Sequence, residues 1–486
     1  MRSRKSRKQS ILRVLPVILL AAAISVFSCG TKNPALTSAK IYLDLTPPDY
    51  DQATAQLLLA AERDSLNGEV HYLLGKIYAE KQWYEAMLPE LQKAEKLKLK
   101  PEWRQDIQQI KAQAWIEVLN SGIEMGRRQR QAEQLRPELL TDFSKYPQYK
   151  DSLKSLSEGL EGAEKLTWDP YQMYSQAKPA LEELERMLGD EAIRRYLLAI
   201  AIDSTRYEAF LNLAAEHVYR DELETALGYY QKAYQIKPDD SNVMNDYAST
   251  LLNAKKFEQA LGLYETILEN DPTNLNALVN VAMIYARKGE AEQALDTYSK
   301  IIAIDPEYQD AYFNRGLLLL SEAQEKIVVL KAYKDSAADN PKSNQISSRY
   351  QSAREDYNRV FVKTESDLTK TTEIDPKDRD AFFHLGLLYV SRAQVLDKGE
   401  EQNQDLSGAE EAFKKCLELD AEDTESAKYL GFVLVSESKW QEASLVLEQL
   451  VGSTPTDREA WGYLAIAYAR LGEKDKAEEA FKKSAR

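Results

Sequence analysis

The side chains best suited to acid–base or metal chemistry are few and widely separated in this chain. Its three histidines, His71, His217 and His384, lie far apart, so no pair has the spacing of metal ligands on one helix. The chain also lacks the Gly-x-Ser-x-Gly motif of hydrolases and the glycine-rich phosphate loops. Acidic pairs such as Glu410-Glu411 lie near lysines, which is typical of solvated helix faces. The sequence therefore predicts no catalytic residue, no metal site and no cofactor.

Cys29 is the one residue whose surroundings indicate covalent chemistry. It follows a basic start without acidic residues and an apolar stretch at residues 14–27. That stretch is short for a membrane span, which needs roughly 20 residues, but it suits a signal peptide. Val26-Phe27-Ser28-Cys29 resembles the lipobox of bacterial lipoproteins, although Phe27 is bulkier than usual there. The resemblance implies that residues 1–28 are removed and that Cys29 is lipidated.

Two alternatives to this anchor remain open: an uncleaved membrane anchor, and a plain signal peptide with an incidental cysteine. Gly30 stands where an aspartate retains enterobacterial lipoproteins in the inner membrane. The resemblance therefore implies the cell envelope, with an outer-membrane lipoprotein that faces the periplasm. The other cysteine, Cys416, is expected to be a small buried thiol. With Cys29 acylated, no intramolecular disulfide is available.

The charge of the chain argues against nucleic acid as a partner. The formal net charge is −15, with 63 basic and 78 acidic residues. Loss of residues 1–28 removes six basic residues and leaves 57 against the same 78 acids, near −21. Such an acidic surface repels phosphate backbones.

A fixed period of 34 residues organises the middle of the chain. Pro238, Pro272 and Pro306 are spaced by this interval. Each stands at the end of a segment that contains an alanine, a tyrosine four residues after it, and then an aliphatic run. Periods of this length are typical of stacked helical repeats. Proline ends a helix because it has no N–H and its ring clashes with the preceding turn.

The repeats resemble the tetratricopeptide family, in which each unit is a pair of antiparallel helices, A and B. The matching residues include Ala214, Ala226, Tyr230, Ala248, Ala260, Tyr264, Ala282, Ala294, Tyr298, Gly386, Phe413, Gly431, Ala443, Ala465 and Ala477. The resemblance implies an all-α, right-handed superhelical solenoid, with small residues at the eighth and twentieth positions of each unit. No unit buries its apolar face alone, so the array is stable only as a stack.

The same register divides the chain and exposes insertions. Residues 29–50 are expected to be a tether, residues 51–205 a divergent helical and repeat-like region with an insert near 131–188, and residues 206–486 the repeat array. Within the array, the interval from Pro306 to Pro376 is 70 residues, which places an insert near 321–357. We expect this insert to be a lengthened helical hairpin. A second insert, near 397–405, is expected to be a longer inter-helix loop.

The resemblance also implies where a partner would bind, because A helices line the groove in this family. The sixth positions of four consecutive units are Asn212, Asp246, Asn280 and Asn314. Amides there can donate to and accept from a peptide backbone, or they can serve only the packing of the family. The fifth positions of these four units are Leu211, Asn245, Val279 and Phe313. None is basic, so the clamp for carboxyl termini is absent there.

The groove positions become apolar and aromatic towards the end of the chain. These candidate partner-binding residues are Phe313, Phe383, Leu387, Tyr429, Phe432 and Tyr463. An exposed apolar strip usually marks an interaction surface, but the insert or the superhelix could instead cover it. Trp461 and Phe481 of the last unit provide a further expectation, self-association through the C-terminal repeat.

Three functions follow as hypotheses. The first is a lipid-anchored envelope adaptor or scaffold that binds protein segments in its groove during assembly of an envelope complex. The second is a periplasmic or surface capture protein for glycans or peptides that works with an outer-membrane transporter. An exposed platform of tryptophan and tyrosine side chains at residues 168–174 would favour this second function. The third, an envelope enzyme, would need clustered carboxylates that the sequence does not show.

Overall fold

The computed structural model describes residues 33–141, 146–161, 177–339 and 343–485. In these ranges the chain is all-α, with helices and no strands, as expected. The chain divides into two compact units, residues 1–255 and 256–486. No helix in the described ranges combines the length and apolarity needed to cross a bilayer.

The first unit contains ten helices within its described residues. They are α1 (Pro34–Leu43), α2 (Tyr50–Arg63), α3 (Gly68–Glu80), α4 (Tyr84–Lys96), α5 (Pro101–Thr141), α6 (Tyr146–Ser157), α7 (Ala177–Ile202), α8 (Tyr207–Tyr219), α9 (Leu223–Ile236) and α10 (Ser241–Asn253).

The second unit contains eleven helices within its described residues. They are α11 (Phe257–Asn270), α12 (Leu275–Lys288), α13 (Ala291–Ile304), α14 (Gln309–Asp339), α15 (Asn344–Ile374), α16 (Arg379–Ala393), α17 (Glu400–Leu419), α18 (Thr424–Ser436), α19 (Trp440–Ser453), α20 (Arg458–Leu471) and α21 (Lys474–Ser484).

The segment expected to be a tether is partly helical, which corrects the sequence-based expectation for residues 29–50. Helix α1 buries Ala35, Leu36 and Ala39 in a cluster that also contains Leu57 of α2. Asn33 accepts the backbone N–H of Leu36 as the N-cap of α1, and its Nδ2 donates to the carbonyl of Ala60 at 3.2 Å. The short apolar period of α1 was missed because it spans fewer than three turns.

The divergent region contains a distorted helix pair formed by α5 and α7. Gly122 of α5 lies against Tyr196 of α7, where an added Cβ would be 2.7 Å from the ring. Trp115 shares the buried cluster with Tyr196. Between these segments, the insert near 131–188 has an apolar cluster of its own, which includes Leu153, Leu156, Leu160, Leu181, Leu184 and Leu188.

The insert near 321–357 forms the expected lengthened hairpin. Helices α14 and α15 each have 31 residues, against 13 or 14 for the helices α10–α13. Leu330, Tyr357 and Phe361 belong to one buried cluster that joins the hairpin to the body of the repeat.

The second insert is mostly helical rather than a loop, which corrects the expectation for residues 397–405. Helix α17 starts at Glu400 and has 20 residues, so the insertion adds turns to a B helix. Asp405 is buried in those added turns, and Arg392 of α16 donates to it through two nitrogens, at 2.8 and 2.5 Å. The Arg392 guanidinium also lies 3.4 Å from the centre of the Phe361 ring.

The two inserts contact each other. Lys334 of α14 donates to the carbonyl of Val395 at 2.6 Å and pairs with Asp397 at 2.8 Å. Arg354 of α15 pairs with Glu401 of α17 at 2.7 Å. The hairpin is therefore held by the second insert as well as by its own helices.

Glycine at the eighth repeat position lets paired helices approach closely. At Gly386 an added Cβ would lie 2.7 Å from the ring of Phe413, which is fully buried and cannot move away. At Gly431 the same position meets Leu447. Gly262 of α11, by contrast, has open space around its Cα.

We expect Gly386→Ala to lower the free energy of unfolding by roughly 1–3 kcal/mol, because it overpacks a rigid contact. The matched control, Gly262→Ala, should raise it by up to about 1 kcal/mol, because alanine is a better helix former at an open site. Urea unfolding followed by circular dichroism measures both. Equal effects of the two substitutions would contradict the close-contact explanation.

Candidate partner-binding surface

The register of each repeat determines which side of its A helix is open. With about 100° between successive residues, positions two, six, nine and thirteen lie about 100–160° around the helix from position eight. Position eight faces the B helix, as Gly386 and Gly431 show. These four positions therefore point away from their own B helix. Position five, which carries Phe313 and Phe383, lies only about 60° from position eight, and Phe383 contacts Phe413 of its own B helix, with ring centres 5.9 Å apart.

The asparagines at the sixth position bind their own helices. In the first unit, Nδ2 of Asn212 donates to the carbonyl of Glu208 at 2.8 Å. In the second unit, Asn280 donates to Asn276 at 2.9 Å and Asn314 donates to Asp310 at 2.7 Å. Each contact uses one amide hydrogen, so the amide oxygen and the other hydrogen stay available to a ligand.

Asp246 occupies the sixth position of another repeat in the first unit, and it differs from the asparagines. Burial raises the pKa of its carboxyl group, and the negative charge of Asp240 adds to this effect. Its negative charge also raises the pKa of the buried Tyr230, although burial is the larger cause there. A partly desolvated carboxylate is a stronger hydrogen-bond acceptor than an exposed one.

Aromatic side chains on the A helices of the second unit form a row that contains two groups of contacting rings. We call this row the aromatic ladder; it consists of Phe313, His384, Phe383, Tyr429, Phe432 and Tyr463. Phe313 and His384 have ring centres 6.0 Å apart, and His384 and Phe383 are 5.7 Å apart. Phe383 meets Tyr429 edge-on at 5.9 Å.

The ladder continues to the last repeat, where Phe432 and Tyr463 lie 5.5 Å apart. All of its side chains are half-buried, and Leu387 packs beside them against the same core cluster. The ladder thus brings together the apolar candidates from four A helices, α14, α16, α18 and α20. Half-buried rings of this kind keep an exposed edge or face for a partner.

His384 is a ladder residue that was not among the candidates predicted from the sequence. It occupies the sixth position of its repeat, so the register could have identified it. Burial lowers the pKa of its ring, while the charges of Asp380 and Asp378 oppose this effect. Its Nδ1 is buried and has no hydrogen-bond partner within the described part of the chain.

The last repeat adds an open apolar groove next to the ladder. The groove has a volume of about 580 Å³, and Glu459 is its one charged lining residue within the described structure. Its other lining residues include Tyr463, Ile466 and Phe481. Phe481 is 66% exposed, whereas the residues at the same position of other repeats, such as Tyr264 and Phe413, are fully buried.

A separate pocket lies in the first unit and was not anticipated from the sequence. It has a volume of about 420 Å³, and Tyr72, Lys76 and Trp103 contribute to its lining. Tyr72 and Trp103 stack at 5.2 Å, and Tyr72 donates to Asp106 at 2.5 Å. Residues of α1 and of the α1–α2 loop complete the lining. The pocket was not predicted because residues 29–50, which supply part of its lining, were expected to be a tether.

The remaining predicted features lie outside the described residues or show no cluster. Cys29 and the expected platform at residues 168–174 fall outside the described ranges. Within those ranges, no group of three or more histidine, cysteine or acidic side chains could hold a metal ion. Cys416 is buried, and burial raises the pKa of its thiol to about 11.

Family models of the tetratricopeptide repeat match residues 68–101, 217–273, 251–316 and 430–486. The chain contains tetratricopeptide repeats. The matches cover α3 and α4, the middle of the array and the last two helix pairs, and all of them are repeat models. With the helices above, they establish an all-α tetratricopeptide-repeat scaffold.

Solved tetratricopeptide-repeat structures resemble parts of the chain. YrrB, described as a protein with an unusual peptide-binding site, is 16% identical over 48% of this chain and 95% of its own, with a TM-score of 0.33. The C-terminal part of a repeat protein from Cytophaga hutchinsonii is 14% identical over 57% of this chain and 94% of its own, with a TM-score of 0.43.

PilF from Pseudomonas aeruginosa is 15% identical over 52% of this chain and 93% of its own, with a TM-score of 0.35. No curated protein matches the chain. At such identities and scores, the likeness does not extend to function.

We expect the His384 ring to titrate below its ordinary value of 6.5. Because the folded-state pKa is lowered, its contribution to stability is present above pH 6.5 and is lost as the pH falls through the folded value. NMR titration of labelled histidines, assigned with His384→Gln, measures this pKa. Asp380→Asn should lower it further, since the carboxylate of Asp380 favours the charged ring. A higher pKa in that variant would contradict the assigned cause.

Proposed function

We propose that this chain is a lipid-anchored adaptor of the cell envelope that binds protein segments on the aromatic ladder. The observation that carries the proposal is the ladder itself, a row of half-buried rings across four A helices of the second unit. Rings supply large contact area at low entropic cost, and they dominate the energy of many protein interfaces.

The sequence supports the anchor and the location in this proposal. The basic start, the apolar stretch and the resemblance of residues 26–29 to a lipobox favour lipidation of Cys29. Acyl chains contribute about 0.8 kcal/mol for each buried methylene, so two or more would hold the protein on a membrane stably. Gly30 favours the outer membrane, and assembly of an envelope complex is the process that we assign to the adaptor.

A second candidate function is capture of glycans or peptides for an outer-membrane transporter. The observation that favours it is the pocket at Tyr72 and Trp103, which is of a size that suits a small ligand or one large side chain. Tyr72 stacks on Trp103, and the Lys100 ammonium group lies 4.6 Å from the centre of the same ring. These contacts reduce the ring surface that a sugar could use, so we place the adaptor first.

A photo-crosslinking amino acid at Phe432 tests the adaptor function in cells that carry the native gene. Benzoylphenylalanine keeps an aromatic ring at this ladder position, so the fold should be preserved. The matched control places the same group at Leu445 of α19, which is 57% exposed. We expect discrete protein adducts from Phe432 and none from Leu445. Identical adducts from both sites, or none from Phe432, would remove the support for ladder binding.

Labelling with an alkynyl fatty acid tests the anchor. We expect Cys29→Ala to abolish the label, because the thiol of Cys29 is the proposed acceptor. The control Cys416→Ala should keep the full label, since the thiol of Cys416 is buried. Undiminished label in Cys29→Ala would exclude the lipoprotein assignment.

A further inference from the structure

The aromatic ladder has one acidic edge. The second positions of the four repeats that carry the ladder are Asp310, Asp380, Glu425 and Glu459, and all four side chains are exposed. Each lies in the first turn of its A helix. The carboxylates therefore lie on the same side of the ladder in each of the four repeats.

The repeat fold does not require carboxylates at this position. Asn242 and Asn276 hold it in two earlier repeats, α10 and α12, whereas Glu208 holds it in α8. An acidic first turn is favourable to the helix dipole, yet the N-cap aspartates Asp378, Asp423 and Asp457 already supply that interaction in three of the four helices. The additional carboxylates thus increase the negative charge of the edge beyond what capping needs.

Internal cations neutralise only part of this edge. Arg379 pairs with Asp380 at 2.7 Å, and Lys428 pairs with Glu425 at 3.0 Å. Asp310 and Glu459 form no ion pair with any described residue, although the positive charge of Lys428 also acts on Glu459. Glu459 also lines the apolar groove of the last repeat, where Ile466 is 45% exposed.

The opposite edge of the ladder is mostly neutral. Three of its thirteenth positions are Ser321, Ser391 and Ser436. Ser391 and Ser436 donate to carbonyls of their own helices, at 2.8–2.9 Å. The fourth is Arg470, whose guanidinium lies 5.7 Å from the Trp440 ring. The open face of these four A helices is therefore acidic near their N-terminal ends and aromatic in the middle. Near their C-terminal ends, the thirteenth positions are polar and carry no negative charge.

From this charge pattern we propose that the ladder binds a basic, amphipathic protein segment. This inference rests on the proposed function and names the class of its partner. The segment places aliphatic or aromatic side chains on the ladder and lysine or arginine side chains beside Asp310 and Glu459. In an extended segment alternate side chains point to opposite sides, so apolar residues at every second position suit the row of rings.

The binding test uses the full-length protein and three fluorescent synthetic peptides of equal length. The first alternates lysine with phenylalanine or leucine, the second replaces lysine with glutamate, and the third replaces the apolar residues with serine. Fluorescence anisotropy measures the dissociation constants at low and high salt. We expect the first peptide to bind at least about tenfold more tightly than the others, and its affinity to fall with salt.

Two double variants with equal changes of charge locate the effect. Asp310→Asn with Glu459→Gln removes the unpaired carboxylates of the ladder edge. The control, Asp296→Asn with Glu411→Gln, removes exposed carboxylates from the B helices α13 and α17. We expect about fivefold weaker binding of the lysine peptide in the first variant, the effect of two exposed charge contacts, and less than about twofold in the control.

Other outcomes separate this inference from the proposed function. Equal binding of the lysine and glutamate peptides, with both weakened by Ile466→Ser, would overturn the charge preference and leave ladder binding intact. Equal weakening in the two double variants would also overturn it, because only the overall charge would then matter. Binding of no peptide would overturn the inference, while crosslinking from Phe432 would decide the adaptor function independently.

Discussion

The close contact between a small residue of each A helix and a large residue of its B helix is the constraint on which the rest of the structure depends. Gly386 against Phe413 shows it most directly, because no side-chain atom fits between them. This contact fixes the rotation of the A helix, so positions two, six and nine turn away from the B helix. Positions six and nine carry four of the six ladder residues and position two carries the acidic edge, whereas Phe313 and Phe383 stand at position five. Phe383 also contacts Phe413 of the B helix. The packing of the interior therefore decides which residues can meet a partner.

The inserts show what a sequence period can and cannot predict. The register located both inserts and their lengths, because an added segment shifts the phase of every later repeat. It did not show that Lys334 reaches the carbonyl of Val395 or that Asp405 is buried beneath Arg392. These contacts join residues that are close only in the folded chain, and no local pattern encodes them. The added turns of α17 were not predicted for the same reason. Polar residues such as Asp405 favour the prediction of a loop, because the sequence does not show that Arg392 is their partner.

The candidate surface was predicted in part. The rings and Leu387 were identified from the repeat positions, and the structure places them together in one row. The asparagines bond within their own helices, a contact that depends on side-chain rotamers and not on spacing. The pocket at Tyr72 was missed because it needs α1, a helix of ten residues without a full amphipathic period. Sequence thus predicts the faces of a repeat well, and it predicts poorly what a neighbouring irregular segment adds to them.

The repeats separate stability from recognition by position. Positions eight and twenty-four stay small and large along the array, as in Ala282 with Tyr298 and Gly431 with Leu447, because the core allows little else. Position six includes asparagine, histidine and tyrosine, and position two is glutamate at Glu208, asparagine in the next two repeats and aspartate or glutamate in the last four. Since these outer positions contribute little to the packing, their chemistry can change from repeat to repeat at small cost in stability. A surface whose aromatic and charged residues vary from repeat to repeat can therefore arise on a nearly uniform scaffold. The last four repeats differ from the earlier ones in this way.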